Sequence, residues 1–116
     1  MRDTMMIGDK AVSFEASALT PIEYRAKTGR DLISETYKLR NSKAPTTDMY
    51  DASLSLAHVM AMDADPSTPD KRDDWIKSFD IFPADEVISF TQRLYAKASG
   101  RTSKAKKKKF MKQSGQ

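Results

Sequence analysis

Apolar residues change their spacing along this chain, and the changes mark its elements. Near the start, Met5, Met6 and Ile7 precede Gly8-Asp9-Lys10, and then Val12, Phe14 and Ala16 alternate with Ser13 and Glu15. Period-two alternation after a Gly-Asp turn predicts a short hairpin over residues 4–15. Two strands are not stable in isolation, so the hairpin is expected to lie on helices. From residue 20 the spacing shifts to three and four. Thr20-Pro21 opens a first helix, with Thr20 as N-cap, Pro21 at the first helical position and Glu23 completing a capping-box pattern. Ile22 and Ala26 share one face with Tyr24 to the side, and Gly29 ends or bends the helix. A second helical stretch begins at Arg30-Asp31, with Leu32, Ile33, Thr36, Tyr37 and Arg40 at three-four spacing. Residues 41–45 are polar and read as a loop.

Thr46 or Thr47 caps a third helix. Its apolar positions (Met49, Tyr50, Leu54, Leu56, Ala57, Val59, Met60, Ala61) cover more than half the wheel, which predicts the central buried helix. Residues 63–70 contain two prolines with Ser and Thr and read as a loop. A fourth helix is expected over 71–82, capped by Asp70, with Trp75, Phe79 and Phe82 at i, i+4, i+7. Core packing explains these three rings better than an exposed binding platform does. A fifth follows Pro83, with Val87, Phe90 and Leu94 in one row, Ile88 and Tyr95 flanking, and Gly100 as its stop. Asp85 and Glu86 at its start and Arg93 and Lys97 near its end suit the helix dipole. The expected fold is therefore mainly α, a small N-terminal β-hairpin packed on about five short helices, forming one domain over residues 1–100. After Gly100 only Phe110 and Met111 are large and apolar, so residues 101–116 are expected to be a disordered basic tail.

Charge sharpens that division. The 116 residues carry a net charge of +4, from 20 bases and 16 acids. Seven of the bases (Arg101, Lys104, Lys106, Lys107, Lys108, Lys109, Lys112) stand in the tail, which has no acid. The body is left with thirteen bases and all sixteen acids, a net of −3. A nucleic-acid role would thus rest on the tail alone. No apolar run is long enough to span a bilayer, and the N-terminal stretch lacks the apolar core of a signal peptide. The chain has no cysteine, which excludes disulfides, thiolate metal sites and thiol catalysis. The expected location is a cytoplasm.

Little in the sequence points to reaction chemistry. His58 is the single histidine and has no visible Ser/His/Asp or His/His partner, so it reads as structural. Asp63, Asp65, Asp70, Asp73 and Asp74 form an acidic cluster, but Pro66 and Pro69 break the ligand register of a calcium loop, and its Gly and Glu are missing. They read as a solvated loop and helix cap. Gly8 and Gly29 belong to no nucleotide-binding pattern. No catalytic residue, metal or cofactor is expected. The seven methionines suit either an adaptable partner-binding face or core filling.

One ordered set of motifs carries a family likeness. The stretch Phe14-Glu15-Ala16-Ser17-Ala18-Leu19-Thr20-Pro21-Ile22-Glu23-Tyr24-Arg25-Ala26-Lys27-Thr28-Gly29-Arg30-Asp31-Leu32-Ile33 resembles the start of tail assembly chaperones from long-tailed, siphovirus-type phages and prophages of Gram-positive bacteria. Those have an extended segment, a Thr-Pro, a Tyr-Arg and an aromatic-Gly-Arg-Asp. Thr28 stands here in place of the aromatic. Leu56-Ala57-His58-Val59-Met60-Ala61 leading to Ala64-Asp65-Pro66, and Asp74-Trp75-Ile76 leading to Phe79-Asp80-Ile81-Phe82, follow in the same order. The likeness covers residues 12–95. It implies a non-enzymatic protein of the host cytoplasm that coats the tape measure protein and helps recruit tail tube subunits. It also implies a longer form made by a −1 translational frameshift near the C-terminus.

A tape measure protein exposes long amphipathic helices that aggregate when bare. A small helical protein with an apolar groove can shield them helix-in-groove, and many weak contacts sum through multivalency. The expected partner-binding row is Phe90, Leu94 and Tyr95 on the last helix, with Leu94→Asp abolishing binding while sparing the fold. Self-association is a further expectation. Lys106, Lys107, Lys108 and Lys109 admit two readings: a region coding for the slippery frameshift site, or a salt-sensitive phosphate-backbone contact. The codons decide the first. The second makes the chain a small nucleic-acid-binding accessory protein, a reading that the acidic body weakens.

Overall fold

The computed structural model describes residues 1–41 and 46–100. The readings placed on the tail, including those on Lys106, Lys107, Lys108 and Lys109, lie outside the described residues. The element order is β1 (Arg2–Ile7), β2 (Lys10–Glu15), α1 (Thr20–Thr28), α2 (Leu32–Asn41), α3 (Thr47–Ala64), α4 (Arg72–Lys77) and α5 (Ala84–Ala98). This is the expected mainly helical body with an N-terminal hairpin.

The strands pair antiparallel, Ile7 opposite Lys10 and Arg2 opposite Glu15. Gly8 turns the chain at φ 64°, a left-handed value that glycine adopts without a Cβ penalty. Pairing runs further toward the N-terminus than residue 4. The Met1 amine reaches Glu15 Oε2 (3.0 Å) and donates to the Ala16 carbonyl (2.8 Å), and the Ala16 N–H donates to the Met1 carbonyl (2.8 Å). One face of the hairpin is dry, with Ile7 and Phe14 buried. The other carries polar cross-strand pairs: Arg2 on Glu15 (3.2 Å) and Thr4 on Ser13 (2.9 Å). On the outer edge of β1, the Thr4 N–H donates to the Asp3 carboxylate (2.8 Å).

The helix α3 is the centre of the molecule. β2, α1, α2, α4 and α5 all pack against it. Its N-cap is Thr46, whose hydroxyl accepts from the Met49 N–H (3.2 Å). Its second half, Leu54 and Leu56 to Ala61, is buried, as its broad apolar arc predicts. Aromatic rings complete the core around it. Phe14 from the hairpin meets Trp75 edge-on at 6.3 Å and Phe90 at 5.8 Å. Phe79 and Phe82 stand 6.0 and 5.2 Å from Trp75. Edge-on pairs of this kind add about 0.5–1.5 kcal/mol each beyond the area they bury. Lys10 caps the outer side of this cluster, its ammonium 5.2 Å from the Phe79 ring centre and bonded to the Ser78 carbonyl (3.2 Å).

Several expectations need correction. Thr20 is not the N-cap of α1; that position is Leu19, which makes no side-chain cap. The Thr20 hydroxyl turns back instead to accept from the Ser17 N–H (2.9 Å), and the residue is buried. The capping box therefore does not form. Tyr24, not Ile22 and Ala26, takes the inward face of α1, and Ile22 is 66% exposed. In α2, Leu32 turns inward while Ile33 and Tyr37 face solvent.

The helix α4 is shorter than the ring spacing suggests. It ends at Lys77, where the Ser78 N–H donates to the Asp74 carbonyl (3.1 Å), and Lys71 rather than Asp70 stands at its N-cap. The three rings converge all the same, because the tight turn after Lys77 brings Phe79 and Phe82 back onto Trp75.

Candidate functional site

A concave surface lies between α2, the first half of α3 and the last turns of α5. It encloses about 650 Å³. Leu32, Met49, Ala52, Leu56 and Tyr95 give it an apolar floor, and Arg30, Glu35, Lys38, Asp48 and Gln92 stand among its polar lining. An apolar floor with a polar rim is the composition that receives one face of an amphipathic helix.

The expected partner-binding row divides at this groove. Tyr95 lines it, half-buried. Leu94 is 4% exposed and belongs to the core, and Phe90 packs on Phe14 (5.8 Å between ring centres). The exposed row of Phe90, Leu94 and Tyr95 is therefore corrected: the inward face of α5 is Val87, Thr91 and Leu94. Thr91 can sit fully buried because its hydroxyl donates to the Val87 carbonyl one turn back (2.9 Å). A polar residue satisfied inside its own helix carries no outward sign of burial in the sequence.

A polar network closes one end of the groove. The Tyr24 hydroxyl donates to Glu35 Oε1 (2.8 Å), joining α1 to α2. Arg30, in the link between them, reaches Asp51 Oδ2 on α3 (2.7 Å). Asp51 Oδ1 accepts from Arg72 at the start of α4 (2.6 Å), and Arg72 also donates to the Ser55 hydroxyl (2.9 Å). Burial, with the Glu35 hydrogen bond next, pushes the Tyr24 phenol up to about 12. The hydrogen bond from Arg72, helped by Arg30, holds the Asp51 carboxyl below its usual range against the effect of burial. Among the described residues one buried side-chain atom, Arg30 Nη1, makes no hydrogen bond; it is ion-paired with Glu35 Oε2 at 3.9 Å. Sequence reading missed this network. Its trace in the sequence is Asp51 and Ser55, one helical turn apart on α3, both of which accept from Arg72.

His58 is buried, and its Nε2 lies 2.7 Å from the Pro69 carbonyl oxygen, which fixes Nε2 as the donor. Its ring sits 5.5 Å from Trp75. Burial lowers its pKa, and the charges of Arg72 and Lys27 lower it further. A second cleft of about 260 Å³ beside it is lined by Lys27, Thr28, Ser55, Asp70 and Arg72. Both cations there are engaged, Lys27 by Asp63 (3.0 Å) and Arg72 by Asp51. Among the described residues no group of three or more His, Asp or Glu is placed to hold a metal ion. No helix among them is long and apolar enough to cross a membrane.

Comparison with protein-family models, with curated proteins and with solved structures gives no match.

Proposed function

We propose that this chain is a phage tail assembly chaperone acting in the host cytoplasm, which shields amphipathic helices of a tape measure protein and helps recruit tail tube subunits. The observation that carries the reading is the groove between α2, α3 and α5, with Leu32, Met49, Leu56 and Tyr95 among its floor residues and a charged rim. It is the kind of surface a helix-in-groove holdase needs. The ordered sequence likeness over residues 12–95 supports the same role. An open cleft with few large anchors gives weak single contacts, and repeated copies along one long helical client would sum them.

Co-expression tests this directly. A tape measure fragment should move from the insoluble to the soluble fraction when the full chain is present, and should co-purify with it. Met49→Glu, which places a charge at a half-buried groove position, should abolish this rescue while leaving the circular dichroism spectrum unchanged. A fragment that stays insoluble beside the wild-type chain refutes the reading.

A further inference from the structure

We draw no further inference here: the strongest candidate, the exposed apolar side chains Leu19 and Ile22 at the start of α1 and Ile33 and Tyr37 on the outer face of α2, carries nothing, because nothing in the structure shows what covers them.

Discussion

The helices α3 and α2 lie side by side, and both show three-four spacing of large residues, yet they stand in opposite relations to the core. In α3 the residues from Leu56 to Ala61 are all buried, and α1, α2, α4 and α5 all pack against the helix. Among the described side chains of α2, Leu32 turns inward and Ile33 and Tyr37 outward, and polar bonds join Glu35 to Tyr24 and, just before the helix, Arg30 to Asp51. The contrast separates two ways of fixing a helix. Packing of apolar surface, at about 25 cal/mol per Å², is cooperative and hard to undo locally. Hydrogen bonds between partly exposed groups contribute about 1 kcal/mol each and exchange readily with water.

Substitutions can break or sharpen that contrast. The largest effect should come from Leu94→Asp on the α3 side, since it buries an unpaired charge; a loss of more than about 4 kcal/mol is expected in urea unfolding. Retention of the fold with loss of binding would restore Leu94 to an exposed face. Leu32→Ala removes the side chain that is buried among those described in α2 and should cost about 2 kcal/mol, the low end for such truncations. Its signature should be faster hydrogen exchange in α2 ahead of any change in α3.

Acid tests the α3 side more gently. Burial keeps the His58 imidazole neutral below its ordinary value near 6.5. The unfolded chain therefore takes up this proton more readily than the folded one. The stability from His58 is complete above about pH 6.5 and declines as the pH falls below it. The ceiling is about 1.4 kcal/mol at pH 5.5. A urea midpoint that rises between pH 7.5 and 5.5 would contradict a buried neutral ring. Smallest of all, Tyr37→Asp on the outer face of α2 should change stability by no more than about 0.5 kcal/mol. A larger loss would mean that this face is packed after all.

Much of the architecture was legible in the chain, for identifiable reasons. The Gly8 turn, the broad apolar arc of α3 and the Thr46 cap each reflect a local rule that the fold follows; the rings of Trp75, Phe79 and Phe82 do meet, but through a turn after Lys77 and not along one helix face. The misread positions are those where another partner, near or far in sequence, overrode the expected pattern. Thr20 gave up its capping role to bond Ser17. Tyr24 displaced Ile22 from the inward face because it alone could both fill the core and reach Glu35. On α5, periodicity identified an apolar row but could not say which side of it faced α3. The groove was the least legible feature. Its floor draws on three helices separated in sequence, and no spacing rule reports how far apart two helices come to rest.

The Asp3 carboxylate, turned onto the N–H of Thr4, bears on how copies of this protein behave when crowded. Among the described residues no strand pairs with the outer edge of β1, and an open edge offers a row of backbone donors and acceptors, which is how one molecule comes to zip onto the next. By occupying the middle donor of that row, and by placing a negative charge there, Asp3 makes the strand a poor template for its own kind. Growth of the sheet through β1 from molecule to molecule is disfavoured accordingly.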